Sequence, residues 1–599
     1  MTGAPMFTTR PELRGTFGAV ASTHWIASQV GMARLEAGGN AFDAAVAAGF
    51  VLQVVEPHLN GPGGDMPAVI WSAAEGRARV LCAQGPAPAA ATPEVFADLG
   101  LDLIPGTGLL AAVVPGATDG WLTMLADYGT ADIADVLAPA MAYARDGFPL
   151  LAGAAAAIET AAPLFREHWP TSASIWLTAG GGAPAAGSLV RNPTLAVTWR
   201  RLLDAADAAG TDRLERIEAV RRAWREGFVA EAIDRFCREA ELLDVSGRAH
   251  RGLLTGDDMA RWRATWEEPV ARDFRGVSVL KTGPWGQGPA LLQQLAMLET
   301  FDLEAMDPQG PDFVHVLAEV AKMALADRDA YYGDPDFAEV PLDRLLSATY
   351  AAERAATIGE RASTTLDPGR LAGFEDQVDR ALAVKGAEDP TAAGAGEPTM
   401  AHLGEKRGDT VHLDVVDRWG NMVSATPSGG WLQSSPAIPD LGFALTTRAQ
   451  MFRLEPGLPA TLAAGKRPRT TLTPSLILRD GEPWIACGTP GGDQQDQWQP
   501  IFLVRHLLHG LDLQAAIDAP LFHTTHVPSS FWPRQGQPGG LTIEGRFPDA
   551  TIGALRERGH GVTVADDWSV GRLTAVAREG GMVKAAATPR LMQAYAVAR

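Results

Sequence analysis

The feature that most constrains the fold is an abrupt change of composition near residue 400. Residues 386–399 are rich in Gly, Pro and Ala and contain no large apolar side chain, a composition typical of a flexible linker. From Thr410 onwards the sequence becomes rich in β-forming residues over 410–417, turns at 418–421 and continues with a second such run over 422–426. The pattern predicts a β-hairpin that begins where the linker ends.

Helices and further strands are predicted on both sides of this hairpin. Apolar residues recur at helical spacing over several long stretches, and Asn40 follows Gly38-Gly39 as a candidate helix cap. The predicted helices cover 24–37, 117–145, 195–238, 290–332 and 499–508, and the further strands cover 66–71, 475–479 and 484–487. Strands and helices mix without a strict βαβ alternation, which favours a layered α+β fold.

Charge and hydropathy exclude several classes of function. The 599 residues carry a net charge of −20, whereas nucleic-acid binding and docking on anionic membranes both need clustered Lys and Arg. The N-terminal residues lack the basic start and apolar run of a signal peptide. No stretch has the ~18 consecutive apolar residues of a membrane helix. We therefore expect a cytoplasmic protein with no nucleic-acid or membrane partner.

Motif searches narrow the chemistry further. The sequence has no G-x-S-x-G elbow, no Walker A sequence and no H-E-x-x-H pair. His506 with His509, and His523 with His526, have spacings that could bind a metal, but neither pair has an obvious third ligand. We expect no metal and no cofactor, and structural roles for these histidines.

Thr410 is the remaining candidate nucleophile. A threonine hydroxyl needs an adjacent base. Peptide cleavage just before Thr410 would free its α-amino group, whose reference pKa of ~7.7–8.0 suits proton acceptance near neutral pH. Nucleophile and base would then belong to one residue. The alternative is an ordinary threonine of a β-strand.

Several motifs in a fixed order support the nucleophile interpretation. The chain resembles the γ-glutamyltranspeptidase family of N-terminal-nucleophile hydrolases over nearly its whole length. The motifs are GGNAFDAAV at 38–46, VPGATDG at 114–120, ARDGF at 144–148, ADRDAYYGDPD at 326–336, TVHLDVVDRWGN at 410–421, GKRPRTTLTP at 465–474 and GTPGG at 488–492.

The resemblance implies a precursor that cuts itself between Asp409 and Thr410. Residues 1–409, ending in the linker 385–409, would form a large subunit, and residues 410–599 a small catalytic one. Both would share a four-layer αββα sandwich as a heterodimer; a dimer of such heterodimers is an alternative assembly.

The resemblance also assigns roles within the site. Thr410 would attack an amide carbonyl to give an acyl-enzyme, and Ser428 would orient its hydroxyl. Thr426 matches a second hydroxyl position of the same strand. The backbone N–H groups of Gly491 and Gly492 match the family's oxyanion hole, a role that suits a Gly-Gly turn; a simple turn is the alternative.

Three positions depart from the transpeptidase pattern of amino-acid recognition. Gln84 stands where an arginine holds the substrate α-carboxylate, Gly430 stands in place of an asparagine, and the aspartate that receives the α-ammonium aligns near Met451. Each charge-assisted hydrogen bond is worth ~1.5–3 kcal/mol. Losing all three contacts makes the usual γ-glutamyl head group a poorer fit.

Other polar residues could replace the lost contacts. Thr470 and Thr471 keep the hydroxyls of the paired serines that help bind a substrate carboxylate in many members. Arg448 could bind a carboxylate through two nitrogens, although a surface arginine is the alternative. We expect a small-molecule amide substrate with a γ-glutamyl or related carboxylated acyl group, and hydrolysis rather than transpeptidation.

Other functions remain open at this stage. They are an acylase resembling the oxamate-amidohydrolase or cephalosporin-acylase branches, an acyl C–C hydrolase of a biosynthetic pathway, and an unprocessed binding homologue without catalysis.

Overall fold

The computed structural model describes residues 7–384 and 410–599, so the predicted linker 385–409 lies outside the described residues. The helices are α1 (Trp25–Glu36), α2 (Ala41–Val55), α3 (Pro93–Asp98), α4 (Ala117–Tyr128), α5 (Ile133–Asp146), α6 (Ala152–Glu167), α7 (Pro170–Trp176), α8 (Pro193–Ala208), α9 (Arg213–Arg225), α10 (Phe228–Glu239), α11 (Gly256–Arg261), α12 (Gly288–Leu298), α13 (Pro311–Tyr331), α14 (Leu342–Leu345), α15 (Ala348–Ala355), α16 (Glu375–Ala383), α17 (Gln495–Leu508), α18 (Leu513–Asp518) and α19 (Asp549–Glu557).

The strands are β1 (Leu13–Gly15), β2 (Ala19–Ser22), β3 (Ala68–Ser72), β4 (Arg77–Cys82), β5 (Phe148–Pro149), β6 (Leu189–Val190), β7 (Leu242–Leu243), β8 (Ala249–His250), β9 (Thr265–Glu267), β10 (Val270–Phe274), β11 (Val277–Lys281), β12 (Leu413–Val416), β13 (Met422–Ala425), β14 (Ser475–Arg479), β15 (Glu482–Gly488), β16 (Phe522–Thr524), β17 (Gly540–Glu544), β18 (Gly561–Ala565), β19 (Thr574–Glu579), β20 (Met582–Ala587) and β21 (Tyr595–Ala598).

Two seven-stranded antiparallel sheets form the centre of the molecule. Sheet I has the order β1-β20-β19-β15-β14-β11-β10, and sheet II has the order β21-β2-β12-β13-β3-β4-β9. The predicted hairpin is β12–β13, with Leu413 opposite Ala425. Both sheets therefore combine strands from before and after residue 409.

Period-two alternation divides the strand side chains between two cores. On β12, Leu413 and Val415 face one helical layer, while Val416 faces sheet I. On β14, Ile477 packs against the helices on the other side and Leu476 packs between the sheets. The layer order is helix, sheet, sheet, helix, and this αββα arrangement confirms the predicted fold class.

Three long predicted helices are each divided into shorter helices. The prediction 117–145 is two helices, because Asp43 accepts hydrogen bonds from the N–H groups of Thr130 and Ala131, and Asp132 caps α5. The prediction 195–238 is three helices, α8–α10, and 290–332 is two, α12 and α13. Among the described residues, no helix combines the length and apolarity needed to cross a membrane.

Candidate active site

The hairpin places Thr410 directly opposite Ser428, at the open end of strands β12 and β13. The two residues form an antiparallel bridge, and their hydroxyl oxygens lie 3.1 Å apart. Both side chains are 1% exposed. Ser428 also exchanges two backbone hydrogen bonds with Asp65, of 2.8 and 2.9 Å. Ser428 is therefore held from both sides while its hydroxyl meets that of Thr410.

Thr426 lies two positions before Ser428, on the same face of the hairpin. Its hydroxyl is 2.9 Å from His412 Nδ1, and His412 Nε2 is 2.9 Å from Asp414 Oδ1. Thr574 of sheet I donates to the other carboxylate oxygen of Asp414 at 2.7 Å. Together, Thr426, His412, Asp414 and Thr574 form a buried polar chain between the sheets.

The Gly491-Gly492 turn reaches the same end of the sandwich from sheet I. Ser424 donates to the carbonyl of Cys487 at 3.0 Å, and Gly488 packs so closely on the His412 ring that an added Cβ would lie 2.2 Å from Cε1. Because β15 runs from Ser424 past His412, the turn that follows it continues toward the Thr410–Ser428 pair.

Both glycines of this turn have backbone conformations that disfavour a side chain. Gly491 has φ 130° and Gly492 has φ 52°, in the positive range that glycine tolerates at little steric cost. A Cβ at Gly491 would lie 2.3 Å from the Trp498 ring. Gln287 donates to the Gly492 carbonyl at 3.1 Å. These contacts fix the backbone conformation of the turn.

A buried ion pair anchors the residue after the turn. Asp493 pairs with Arg328 and accepts the backbone N–H of Ser530 at 2.8 Å. Burial alone would raise the pKa of Asp493, but the charges of Arg328 and Arg469 hold it below its ordinary value. An ionised Asp493 therefore links the turn to α13.

Arg448 lies inside the protein, so the surface alternative for this residue is wrong. It is 1% exposed; its Nε donates to Asp65 at 2.7 Å, and its guanidinium lies 5.2 Å from the Trp431 ring centre. Its Nη2 is buried without a hydrogen-bond partner. Asp65 also pairs with Ser428, so Arg448 stands close to the candidate nucleophile.

Two of the three departures have a physical basis in the structure. Gly430 has φ 68°, and an added Cβ would lie 3.1 Å from the Ala444 carbonyl and from Gly64 N. An asparagine side chain would therefore be strained there. Met451 is fully buried against Trp431 and Phe531, an apolar setting that offers no carboxylate for a substrate ammonium.

The remaining substrate-binding candidates lie at the same end of the sheets. Gln84 follows β4, is fully buried and donates to the Gly85 carbonyl at 3.3 Å, while its Oε1 has no hydrogen-bond partner. Thr470 is fixed by a backbone bond to Trp285 at 2.9 Å, and the Thr471 hydroxyl is buried without a partner. The structure thus leaves unused polar atoms around the end where Thr410 lies.

In each of the two histidine pairs considered as metal ligands, one member instead binds a backbone group. His506 binds the Leu511 carbonyl, and His526 accepts from the Gly539 N–H. Among the described residues, the cluster suited to a metal by its donor atoms is His315, Glu319 and His560. Glu319 there already binds Lys322 at 2.6 Å, so we assign no metal.

Sequence reasoning overlooked the partners of Thr426. His412 and Asp414 lie at alternate positions after Thr410, so all three share one face of the hairpin. This polar alternation, in a strand whose other face is apolar, was the available signal.

Comparisons with known proteins agree with this geometry. A family model described as Gamma-glutamyltranspeptidase matches residues 27–598. The chain is 33% identical over 583 residues to the Glutathione hydrolase-like YwrD proenzyme of Bacillus subtilis (strain 168), covering 96% of this chain and 97% of that relative. It is 33% identical over 588 residues to the Oxamate amidohydrolase proenzyme of Klebsiella pneumoniae subsp. pneumoniae, with 96% and 97% covered.

A solved structure extends the agreement to three dimensions. LmbA2991HD shares 53% sequence identity and a TM-score of 0.92 with this chain, and the match covers 99% of this chain and 100% of that one. The family model, the relatives and the fold all lead to one assignment: the chain belongs to the gamma-glutamyltranspeptidase family and is an enzyme of the amide hydrolase and transferase class.

Proposed function

We propose that this enzyme is an autoprocessed N-terminal-threonine hydrolase that cleaves an amide through an acyl-enzyme on Thr410. The observation that carries the proposal is the position of Thr410, opposite Ser428 with 3.1 Å between the hydroxyl oxygens, at the end of the sheets where the Gly491-Gly492 turn lies. The names of the relatives, which include proenzymes, support it.

The first chemical step would cut the chain before Thr410. The Thr410 oxygen attacks the carbonyl carbon of Asp409, the C–N bond breaks, and the nitrogen takes up a proton. Water then hydrolyses the resulting ester. The products are residues 1–409, with a new carboxylate, and residues 410–599, with a free α-amino group. Asp409 lies outside the described residues, so the cut itself is a proposal from chemistry and resemblance.

The same hydroxyl would then act on the substrate. The new α-amino group accepts the hydroxyl proton, and the oxygen attacks the amide carbonyl. The N–H groups of Gly491 and Gly492 would stabilise the tetrahedral oxyanion. The leaving amine takes the proton, and water hydrolyses the acyl ester. Each step uses groups of the chain and needs no cofactor.

The surroundings favour a carboxylated acyl group over a complete amino-acid head group. Gly430 supplies no recognition side chain, and Met451 offers no charge. Arg448 has a buried Nη2 without a partner, which suits a substrate carboxylate. With few anchors for an acceptor amino acid, water becomes the favoured second substrate.

Electrophoresis under denaturing conditions tests the processing step. We expect the purified wild-type protein to give two bands in a mass ratio of about 2:1, and the small band to begin at Thr410 by mass spectrometry. Thr410→Ala removes the nucleophile and should give one full-length band. Thr410→Ser keeps a hydroxyl and should still be cut. A wild-type chain that stays intact on prolonged incubation would refute the proposal.

A substrate panel tests the acyl group. Glutaryl p-nitroanilide, γ-glutamyl p-nitroanilide and oxamate differ in head-group charge while keeping a carboxylate. We expect faster turnover of the glutaryl than of the γ-glutamyl anilide, because Gly430 and Met451, which stand in place of the recognition asparagine and aspartate, offer no partner for the α-ammonium. Preference for the γ-glutamyl compound would contradict our interpretation of Gln84, Gly430 and Met451.

A further inference from the structure

The space between the two sheets contains an unusual row of polar side chains. His412, Asp414, Ser424 and Thr426 are all fully buried, yet the residues around them are chiefly alanine, valine, leucine and methionine. A buried polar group without a partner costs roughly 1–3 kcal/mol. All four side chains are hydrogen-bonded, and three of them belong to one chain of bonds.

Proton counting gives this chain a single direction. As a carboxylate, Asp414 can only accept hydrogen bonds. Its Oδ2 accepts one from the Thr574 hydroxyl, and its Oδ1 accepts one from His412 Nε2–H. The neutral imidazole then has a bare Nδ1. That nitrogen accepts from the Thr426 hydroxyl, 2.9 Å away. Thr426 is left with lone pairs only for any further partner.

The strand register places the Thr426 hydroxyl two positions along the chain from Ser428, the partner of the candidate nucleophile Thr410. Leu413 pairs with Ala425, so His412 lies opposite Thr426, and one pair further along the same face Thr410 lies opposite Ser428. Positions two apart on a strand are separated by about 6.8 Å. This spacing suits one water molecule bridging the hydroxyls of Ser428 and Thr426.

The processing step needs a base of its own. Before the cut, the Thr410 nitrogen is part of a peptide bond and has no basic lone pair. The α-amino group that serves hydrolysis is thus a product of processing and cannot start it. The hydroxyl proton of Thr410 must leave by another route during the first attack.

We propose that His412 is the proton acceptor for processing, reached from Thr410 through the hydroxyls of Ser428 and Thr426. As the Thr410 oxygen bonds to the Asp409 carbonyl carbon, its proton passes to Ser428, that of Ser428 to Thr426, and that of Thr426 to His412 Nδ1. Asp414 stabilises the imidazolium. When the C–N bond breaks, the proton returns along the same hydroxyls to the Thr410 nitrogen. His412, Asp414 and Thr574 are positioning residues, and the inference rests on the proposed function.

The test separates processing from turnover. Asp414→Asn keeps the shape but removes the carboxylate, and Thr426→Val breaks the relay without changing side-chain volume much. General-base contributions are typically 10²- to 10⁴-fold, so we expect the rate of appearance of the two bands to fall by about 100-fold in each. Thr426→Ser should restore it. The kcat per processed site of Asp414→Asn, measured after cleavage has finished, should stay within about three-fold of wild type, because the α-amino group is then the base.

Ser424→Ala is the matched control. Ser424 is equally buried on the same face. Its hydroxyl donates to the Cys487 carbonyl at 3.0 Å, and its oxygen lies 3.5 Å from His412 Nε2, a longer contact than the 2.9 Å between that nitrogen and Asp414 Oδ1. We expect a lowered melting temperature with wild-type processing. The proposal is overturned if Asp414→Asn and Thr426→Val process like Ser424→Ala, or if the kcat of Asp414→Asn falls as much as its processing rate. A wild-type chain that is never cut would instead refute the proposed function.

Discussion

At the scale of single residues, the site depends on glycines as much as on hydroxyl groups. Gly491 and Gly492 provide positive φ angles where two N–H groups would meet one oxygen, and a Cβ at Gly430 would lie 3.1 Å from Gly64 N. Glycine therefore stands at the positions where the backbone lies close to neighbouring groups. In the proposed function, substrate recognition would depend on the few polar atoms that remain unused, above all the Nη2 of Arg448.

Replacing Gly491 by alanine should abolish most of the turnover. The change strains the backbone at φ 130° and drives a Cβ to 2.3 Å from Trp498, so its N–H moves off the oxyanion. Loss of one oxyanion-hole donor costs about 10²- to 10³-fold in kcat. The measurement is kcat for the best amide of the panel.

Gly510→Ala is the control for backbone strain alone. Gly510 has φ 68° with no atom within 4 Å of an added Cβ, so alanine there is strained but meets no neighbour. Its kcat should equal that of wild type. A Gly491→Ala enzyme with kcat within three-fold of wild type would show that the turn does not hold the oxyanion.

At the scale of elements, buried hydrogen bonds between chain segments determine how the stability of the protein depends on pH. Glu56 ends α2, accepts from the Thr23 hydroxyl at 2.7 Å and also binds Gln593. Burial raises the pKa of Glu56 to about 8, against the smaller opposing effects of Thr23 and Arg572. Folding near neutral pH therefore requires Glu56 to take up a proton.

The stability of the protein should fall between pH 5 and 8 on account of Glu56. The raised pKa makes its contribution fully present below the ordinary value of 4.5 and lost as the pH rises through about 8. The slope approaches 1.4 kcal/mol per pH unit. Glu56→Gln cannot ionise, so its advantage over the parent should grow with pH. Urea unfolding at pH 5, 6, 7 and 8 measures this difference.

The uncut Thr410→Ala chain is the suitable parent for this series, since its unfolding involves one polypeptide. Glu36→Gln, at an exposed glutamate that pairs with Arg599, serves as the control and should run parallel to the parent. Parallel curves for Glu56→Gln and the parent would show that Glu56 is ionised in the folded state.

Sequence patterns predicted where helices and strands lie better than they predicted where the long helices are interrupted. Asn40 caps α2 with a capping box, as expected. The break between α4 and α5 was not foreseen, because it depends on Asp43, some 90 residues away in sequence, binding the N–H groups of Thr130 and Ala131. Local periodicity contains no record of such a partner.

The candidate site likewise has residues that the sequence predicted and residues that it did not. Thr410, Ser428 and the Gly491-Gly492 turn were accessible from motifs. The buried setting of Arg448 was not, since the sequence does not reveal its pairing with Asp65. Thr574 was missed because its partner, Asp414, lies in the other sheet, and only the packing of the two sheets brings them together.

At the scale of the whole molecule, the two proposed subunits cannot be separate bodies. In sheet II, β12 and β13 lie between β2 and β3, and in sheet I, β14 is paired with β11 while β20 is paired with β1. Strands from before and after the proposed cut are thus paired with one another in both sheets. Cleavage at residue 409 would leave every one of these pairings in place.

Refolding should distinguish the cut from the uncut protein. Native size-exclusion chromatography of processed enzyme should give one peak containing both fragments. After unfolding in urea and dilution, the uncut Thr410→Ala chain should refold with a yield that falls little on dilution. The processed enzyme should regain less activity at lower protein concentration, because its two fragments must meet. Equal concentration dependence for both forms would contradict the shared sheets.

The sharing of both sheets also changes what keeps the mature enzyme in existence. A single chain that unfolds can return to its native state alone, so its persistence reflects an equilibrium. Once cut, each unfolding event at low concentration releases two partners that drift apart, and the loss becomes permanent. If the chain is processed as proposed, the working lifetime of the enzyme would be set by the height of its unfolding barrier, and the strand contacts between fragments would determine its half-life.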